Sequence, residues 1–441
     1  MTMQDVGAAV STTGASAGER GTARAARRVA VASGIGTTIE WYDFFIYGTA
    51  AAVVFAPQFF PQVSDIAGTL LAFGTFAIGF IARPLGGIVM GHFGDRIGRK
   101  SMLVWSLMLM GISTFAIGLL PTYAQIGVWA PVLLTTLRFV QGFALGGEWA
   151  GAVLMAVEHA PAGRRGHYGS FVALGLPGGI ILSNLVFLIA STAFAPEQFA
   201  NNGWRLPFLA SGVLVAVGLW VRLGIAESPM FAEVQQRQAT RRTPIVDVIR
   251  RDAGTVALAA GSYVGISAAG YIVIVYYVSY ATRQLGVSLP LTLALLLVAA
   301  AANAVAIVAA GKRSDRFGRR RIMLWGAAAL VVWSAAFFPL IDTGSVPLMA
   351  VALTVMLVVQ GAYIGTQPAL FAELFPTNVR FSGASMSLQL GAIVSGAPAP
   401  FIATALYQQR GDTLLITGYM VFMSLIALAC TMALTRRERA S

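Results

Sequence analysis

The sequence has little charge for its length. Of its 441 residues, 11% are Asp, Glu, Lys or Arg, whereas soluble globular domains contain about 25%. Acidic residues are the scarcer kind, because 18 Asp and Glu stand against 30 Lys and Arg. Hydrophobic residues make up 57% of the chain. This composition excludes an ordinary soluble protein.

The sequence also lacks the residues of common metal, redox and nucleotide sites. Cys430 is the only cysteine and the three histidines are scattered, which excludes an intramolecular disulfide and a cysteine-rich metal site. We therefore expect no metal and no cofactor. No Walker-type phosphate loop, HExxH or Gly-x-Ser-x-Gly occurs in the chain. We expect neither an enzyme nor an ATP-driven pump.

Long apolar runs are what the chain does contain. Runs of about 20 apolar residues are the length that crosses a bilayer, and such spans are helical because lipid offers backbone groups no partner. The alternating pattern of membrane β-strands is missing. The twelve predicted spans are residues 29–56, 67–91, 101–121, 128–156, 167–193, 205–226, 253–282, 288–311, 322–341, 346–372, 381–407 and 413–434. The sequence predicts an all-α integral membrane protein.

The basic residues indicate how the helices are oriented. If the N-terminus is cytoplasmic, cytoplasmic segments carry 25 of the 30 Lys and Arg residues, and the outer loops have few, such as Arg283 and Arg410. This bias sets topology in membrane proteins. We therefore interpret the net charge of +12 as the charge bias that sets membrane orientation, and not as a binding site for nucleic acid or for acidic lipids. We expect a monomeric, multi-pass protein of the inner or plasma membrane with both termini cytoplasmic.

Polar segments divide the chain into regions. Residues 1–28 are rich in Ala, Gly, Ser, Thr and Arg and predict a disordered cytoplasmic arm. Residues 227–252 are the longest polar interior stretch and predict a cytoplasmic linker. The remaining regions are a six-helix bundle at 29–226, a second at 253–434 and a tail at 435–441. The chain thus divides into six helices on each side of the linker.

The two halves repeat one another. Residues 91–100 (GHFGDRIGRK) recur as 311–320 (GKRSDRFGRR), an offset of 220. Gln141-Gly142 recurs as Gln360-Gly361 at an offset of 219. Duplicated helical units are typical of secondary transporters. The repeat predicts two pseudo-symmetric six-helix bundles.

Several segments resemble a known family. The basic turns after the second and eighth spans are similar to those of the major facilitator superfamily. IEWYDFFIYG (39–48), RPLGG (83–87), LRFVQGFALGGEWAGA (137–152) and ESPMF (227–231) resemble its metabolite:proton symporter family. That family includes transporters of shikimate, 2-oxoglutarate, citrate, proline and betaine. Residues 59–73 and 126–142 look closest to the shikimate branch. The resemblance implies the major facilitator fold and proton-driven transport.

Acidic residues in the first span are the best candidates for binding a proton. Glu40, Asp43 and Tyr47 have i, i+3, i+7 spacing, which places them on one helix face. At 1.5 Å per residue, the two acids lie roughly 16–21 Å along the span, near the middle of the bilayer. Such residues are costly in lipid and mark functional sites. We predict that Glu40 and Asp43 take part in proton coupling; a static ion pair between helices is the structural alternative.

The fourth span supplies a cation at a similar depth. Arg138, Gln141, Leu145 and Glu148 share one face, and a guanidinium can hold either an acidic side chain or an anionic cargo. The family resemblance also implies that Arg138 takes part in proton coupling. In the repeat, Arg138 corresponds to Leu357 and Glu148 to Gln367. We therefore expect proton chemistry in the first half, while the second half shapes the cargo pocket.

Other polar residues of the spans could bind cargo. Arg83 could bind a cargo carboxylate or, alternatively, extend its charged end to the cytoplasmic surface. The predicted substrate-binding residues are Tyr42, Tyr47, Arg83, Arg138, Gln141, Glu148, Tyr271 and Gln360. Further residues of the second half that could line a cavity are Tyr263, Tyr276, Tyr277, Asn303 and Gln389.

The repeated basic turns are candidates for a gate. An acid at the inner end of one helix can pair with cations and helix ends of a neighbour, which holds the cytoplasmic side shut, and the resemblance implies such a role. The predicted gating residues are Asp95, Arg96, Arg99, Lys100, Asp315, Arg316 and Arg319. The alternative is charge that sets topology only.

Taken with the resemblance, these residues imply a symporter whose partners are protons and a small organic acid, a shikimate-like monocarboxylate or a dicarboxylate. A cation beside acids that can be neutralised suits an anionic cargo. A zwitterionic osmolyte such as proline or betaine, and an uncoupled facilitator, are the open alternatives.

Overall fold

The computed structural model describes residues 30–97, 99–147, 152–153, 156–157, 160–161, 163–223, 252–375 and 380–440. Within these ranges the chain is helical, with no strand. The predicted arm 1–28 and nearly all of the predicted linker 227–252 lie outside the described residues.

Twelve long helices, α1 to α12, follow the order of the predicted spans. Short helices occupy Phe55–Phe59, Tyr123–Ile126 and Pro196–Gln198. The first six long helices are 30–53 (α1), Asp65–Ile97 (α2), Arg99–Leu119 (α3), Trp129–Ala144 (α4), Arg165–Ala173 with Gly175–Ala193 (α5) and Arg205–Leu223 (α6). The second six are Ala253–Tyr271 with Tyr277–Arg283 (α7), Leu289–Phe317 (α8), Arg319–Ile341 (α9), Val346–Ile364 with Gln367–Leu374 (α10), Arg380–Gly391 with Ala399–Arg410 (α11) and Leu414–Ala440 (α12).

Length and composition support membrane insertion. In the described part of the chain, eight helices are long and apolar enough to cross a membrane. The number is nine if Pro196–Gly203 and Arg205–Trp220, which meet at a bend, are counted as one span. Large apolar side chains such as Trp105, Trp220 and Trp325 are mostly exposed on the outer surface. An exposed apolar surface of this extent is typical of contact with lipid.

The repeat in the sequence is also a repeat in the packing. In the first half α2 packs along α4 and α3 along α6; in the second, α8 packs along α10 and α9 along α12. The halves meet mainly through α5 against α8, with further contacts between α2 and α11. One buried core runs through both halves.

Glycines set the distance between the paired helices. A Cβ added at Gly142 of α4 would collide with the carbonyl oxygen of Gly79 in α2. In the second half, a Cβ at Gly361 would lie 2.9 Å from the carbonyl oxygen of Asn303 in α8. These glycines therefore act as small-residue contacts that let backbones approach closely.

The basic turn of the second half differs from expectation. The sequence predicts a turn over 311–321, but α8 continues to Phe317 and α9 begins at Arg319. A single residue, Gly318 with φ 87°, separates them. Glycine adopts this left-handed region without the Cβ penalty, so one residue is enough to reverse the chain.

Four helices in the described part of the chain are interrupted, one of them being α10 at residues 365–366. α5 breaks at Leu174, where Pro177 cannot donate the next hydrogen bond of the ladder. α7 contains a π-helical turn at Ile272–Tyr276, and α11 contains one at Ala392–Gly396. Such turns often lie at functional sites.

Candidate functional site

A small cavity lies between the two halves. Its volume is about 90 Å³. The first half contributes Glu40, Trp41, Phe44, Arg83, Leu145, Val172, Ala173 and Leu176, and the second half contributes Tyr263, Ile364, Gln367, Ser385, Leu388, Gln389 and Ala392. Small-molecule sites usually enclose about 300–1,000 Å³. In this conformation the cavity is therefore contracted.

Charge is unevenly distributed around the cavity. Among the described lining residues, the charged side chains are Glu40 and Arg83, both from the first half. The second half supplies neutral polar groups: Tyr263, Gln367, Ser385 and Gln389. One face of the cavity can therefore bind an ionised group, and the other can exchange hydrogen bonds with hydroxyls or carbonyls.

Aromatic rings hold Arg83. Its guanidinium carbon lies 4.4 Å from the ring centroid of Phe80 and 4.9 Å from that of Phe44. Both distances are within the range of cation–π attraction. The buried Nε of Arg83 has no hydrogen-bond partner among the described residues. The rings therefore orient the guanidinium, and the described residues leave its Nε donor unused.

Arg138 is buried behind the cavity wall. Its side chain is 1% exposed and it does not line the cavity. Its guanidinium carbon lies 4.2 Å from the ring centroid of Tyr47, 4.6 Å from that of Phe44 and 5.0 Å from that of Phe76. Two of its nitrogens, Nε and Nη2, have no hydrogen-bond partner in the described part of the chain. The charge is therefore stabilised mainly by aromatic rings.

Gln141 connects Arg138 to the first helix. Arg138 Nη1 donates a hydrogen bond of 2.5 Å to Gln141 Oε1. Gln141 Nε2 donates to Thr114 Oγ1 at 2.8 Å and to the backbone carbonyl oxygen of Asp43 at 3.4 Å. The predicted face of α4 thus forms one network with α1 and α3.

Asp43 lies in the same buried region. It is completely buried, and neither carboxyl oxygen has a hydrogen-bond partner among the residues described. Glu40, one turn earlier, lines the cavity instead. The two predicted proton-binding acids therefore differ in access: one faces the cavity and the other is sealed behind it. An ionised carboxyl without a partner is costly to bury.

The remaining predicted binding residues fall into two groups. Tyr47 and Tyr271 lie next to the cavity wall: Tyr47 packs against Arg138 and donates a 2.7 Å hydrogen bond to Thr75 Oγ1, and the ring of Tyr271 contacts Phe44. Tyr42 and Gln360 do not line the cavity. Tyr42 donates to the carbonyl oxygen of Pro207 in α6 at 2.6 Å, and Gln360 lies against Gly270.

Some further polar residues of the second half line the cavity and others do not. Tyr263 and Gln389 line it, whereas Asn303 donates a 2.5 Å hydrogen bond to the carbonyl oxygen of Leu357 between α8 and α10. Trp41, Gln367 and Ser385 also line it and were not predicted to do so. Gln367 could have been found, since it is the repeat partner of Glu148. Glu148 itself lies outside the described residues.

One predicted gating residue joins the halves at the basic side, defined here as the end of the molecule that carries residues 312–321. The carboxylate of Asp315 in α8 accepts hydrogen bonds from the backbone N–H of Gly166 at 2.8 Å and of His167 at 2.9 Å, at the start of α5. The free N–H groups of a helix start favour an anion there. Asp315 thus caps a helix of the opposite half.

Other charged residues surround this cap. Arg319 lies 3.5 Å from Asp315 and also forms an ion pair with Glu373. Arg316 is exposed at the surface. The side chains of Asp95, Arg96, Arg99 and Lys100 lie outside the described residues.

A second contact between the halves lies on the opposite side. Arg283 at the end of α7 donates a 3.0 Å hydrogen bond to Thr69 Oγ1 near the start of α2. Nearby, a Cβ added at Gly48 of α1 would lie 3.0 Å from the side chain of Val275 in α7. The halves therefore touch on both sides of the cavity.

Comparison with known proteins agrees with this architecture. The family model described as Major Facilitator Superfamily matches residues 33–397 and, in a second alignment, 261–441. The inner membrane metabolite transport protein YhjE of Escherichia coli K12 is 43% identical over 411 residues, covering 92% of this chain and 93% of that protein. The shikimate transporter of Escherichia coli K12 is 41% identical over 385 residues, covering 86% and 88%.

Solved structures match the fold at low sequence identity. A partially occluded, inward-open conformation of the xylose transporter XylE from E. coli has a TM-score of 0.72 with 16% identity, covering 93% of this chain and 97% of that chain. The proton:xylose symporter XylE bound to 6-bromo-6-deoxy-D-glucose has a TM-score of 0.72 with 17% identity, covering 93% and 94%. The predicted fold of twelve transmembrane helices in two bundles is confirmed.

Proposed function

This chain belongs to the major facilitator superfamily and is a multi-pass membrane transporter, and on that premise we propose that it is a proton-coupled symporter of a small organic acid. The observation that carries the proposal is the arrangement around Phe44. Arg83, beside this ring, faces the cavity, while Asp43 and Arg138 are sealed behind it. A cargo site and a proton site thus lie side by side.

The cavity suits a carboxylate that also carries hydroxyls. The Arg83 guanidinium binds carboxylates bidentately, and its orientation is fixed by two rings. The amides and hydroxyls of Gln367, Ser385 and Gln389 face it across the cavity. A shikimate-like monocarboxylate, or a dicarboxylate, has groups for both faces. The shikimate transporter among the relatives supports this cargo class.

Proton coupling is assigned to Asp43, with Glu40 as its cavity-facing neighbour. In the sealed conformation a charged Asp43 lacks hydrogen-bond donors, so the bound proton is favoured there. When the halves separate and water reaches the carboxyl, the proton can leave. Arg138 provides a fixed positive charge, because a guanidinium stays protonated. Among the described residues of the cavity and its wall, the second half offers no acid, which supports a proton site in the first half.

The two sets of contacts between the halves support transport by alternating access. Opening toward the basic side requires the Asp315 cap to break, and opening toward the other side requires the Arg283–Thr69 contact to break. Two arrangements that differ by a few kcal/mol are sufficient for switching. We place the basic side in the cytoplasm, because Lys and Arg accumulate there.

A zwitterionic osmolyte is the second candidate cargo. Glu40 and Trp41 lie in the same cavity as Arg83, so a cationic group could contact the acid and the indole while a carboxylate binds the guanidinium. Competition by betaine against shikimate would distinguish the two cargo classes.

The test is uptake of labelled shikimate into proteoliposomes, with and without an imposed inward proton gradient, and with empty liposomes as the control. We expect accumulation above equilibrium only with the gradient. Uptake that never exceeds equilibrium would identify an uncoupled facilitator. Absence of uptake in both conditions would exclude shikimate and direct the search to dicarboxylates and betaine.

A further inference from the structure

One aromatic ring, that of Phe44, contacts both arginines of the site. Its centroid lies 4.9 Å from the guanidinium carbon of Arg83 and 4.6 Å from that of Arg138. Phe44 lines the cavity, whereas Arg138 and Asp43 do not. The ring therefore stands between the cavity and the buried charged residues.

Other aromatic residues complete this wall. Phe44 contacts Phe76 at a centroid distance of 4.8 Å, Phe80 at 5.1 Å and Tyr271 of the second half at 5.6 Å. Tyr47 and Phe76 cover other sides of the Arg138 guanidinium. Because Tyr271 belongs to α7 and the other rings to α1 and α2, the wall is closed only while the two halves are together.

We propose that Phe44 is a positioning residue that keeps water out of the Asp43–Arg138 region until a cargo carboxylate binds Arg83. This inference rests on the proposed symport function and specifies what prevents protons from crossing without cargo. The barrier is the ring of Phe44, which follows Asp43 in the sequence. A movement of α1 therefore shifts the Asp43 carboxyl and the ring together.

The contacts of Arg83 explain how cargo could move the ring. In this structure the ring lies against two cations that repel each other and are both attracted to it. A carboxylate bound to Arg83 neutralises one of these cations and competes with the ring for the guanidinium. The ring is then held by Arg138 alone, and the Arg83 side of the wall is weakened.

The experiment measures proton entry without cargo. Wild type, Phe44→Ala, Phe44→Leu and Phe44→Tyr are reconstituted into liposomes of phosphatidylethanolamine and phosphatidylglycerol that contain a pH-sensitive dye. An inward proton gradient is imposed, with potassium and valinomycin to clamp the membrane potential. Phe59→Ala is the matched control, because Phe59 is equally buried in an aromatic cluster with Phe55 and Trp204 that none of these arginines contacts.

We expect Phe44→Ala to raise cargo-independent proton entry about tenfold, the ratio that corresponds to a barrier lower by ~1.4 kcal/mol. Phe44→Leu should give a smaller increase, whereas Phe44→Tyr and Phe59→Ala should match wild type. The double variant Asp43→Asn with Phe44→Ala should abolish the leak, because the proton path runs through Asp43.

Two results would overturn the proposal. The first is that Phe44→Ala and Phe44→Leu both admit protons at the wild-type rate without cargo. The second is a leak that persists in the double variant, which would place the path elsewhere. Shikimate uptake by the wild type is measured in the same vesicles. If wild-type uptake does not depend on the gradient, the symport function is refuted. If wild-type uptake does depend on the gradient but Phe44→Ala shows no extra proton entry, only the role of Phe44 is refuted.

Discussion

At the scale of single residues, the two arginines of the site differ in access but share one kind of support. Arg83 faces the cavity and Arg138 is sealed, yet the described contacts of both guanidiniums are mainly with aromatic rings. A cation held by rings keeps its net positive charge, whereas one held by a carboxylate does not. Arg83 is therefore suited to an anionic cargo.

Replacing Arg83 tests its geometry separately from its charge. Arg83→Lys keeps the positive charge but loses the planar group that stacks on Phe44 and Phe80. We expect KM for shikimate uptake to rise about tenfold with gradient dependence retained, since lysine cannot bind a carboxylate bidentately. Arg313→Lys, at an exposed position outside the predicted gating residues, is the control and should leave KM unchanged. An unaltered KM in Arg83→Lys would remove Arg83 from the cargo site.

The different positions of Glu40 and Asp43 relative to the cavity could not be predicted from the sequence. Spacing placed Glu40 and Asp43 on one face, but three helical residues turn through about 300°, so the two side chains diverge by about 60° around the axis. That divergence puts Glu40 in the cavity and Asp43 behind it. Which side of a helix meets the partner half depends on tertiary packing, and a single sequence does not contain this information.

At the scale of helices, the long apolar runs were sufficient to predict the spans. The basic residues misplaced one end, because α8 continues through them to Phe317 and Gly318 alone separates it from α9. The π-helical turns of α7 and α11 were not predictable, because a one-residue shift in the hydrogen-bond ladder leaves hydropathy unchanged. These turns lie where Tyr271 of α7 meets Gly396 of α11, a contact visible only in three dimensions.

The α2–α4 pair gives a prediction about stability. Gly142→Ala places a methyl group against the carbonyl oxygen of Gly79, so the helices must separate. We expect a loss of about 1–3 kcal/mol, seen as a lower Tm in detergent. Gly74→Ala in α2 is the control, because an added Cβ meets no atom within 4 Å, and alanine favours the helix by up to about 1 kcal/mol. Equal Tm values for both variants would contradict the role assigned to Gly142.

At the scale of the whole molecule, the halves are held together on both sides of the cavity. The Asp315 cap joins the halves on the basic side, and the Arg283–Thr69 contact joins them on the other. The sequence predicted Asp315 as a gating residue from the repeated motif, but not Arg283, which belongs to no repeat. A single arginine at a helix end carries no sequence signal for a contact with the opposite half.

Weakening the cap should open the basic side. Asp315→Asn removes the negative charge and keeps one acceptor oxygen, so one of the two hydrogen bonds from Gly166 and His167 becomes neutral and the other is lost. The readout is a cysteine at Ser170, a buried position next to Gly311 of α8, in a Cys430→Ser background. We expect labelling by a water-soluble maleimide to become about tenfold faster, which corresponds to ~1.4 kcal/mol.

The matched control for this labelling is Asp412→Asn. Asp412 lies on the opposite side, where the backbone N–H of Leu414 and the Arg410 guanidinium hold the pKa of its carboxyl below the usual value. It is charged at neutral pH but does not join the halves. A gate at Asp315 would be contradicted if Asp412→Asn also labels faster than its parent, or if Asp315→Asn labels no faster than its parent.

The most direct measurement of proton coupling separates driven accumulation from exchange. Wild type, Asp43→Asn and Glu373→Gln are compared in gradient-driven uptake of labelled shikimate and in exchange of labelled for unlabelled shikimate. Glu373 is an acid of the second half that pairs with Arg319. We predict that Asp43→Asn keeps exchange but loses accumulation, while Glu373→Gln keeps both. Normal accumulation in Asp43→Asn together with its loss in Glu373→Gln would contradict a proton site in the first half.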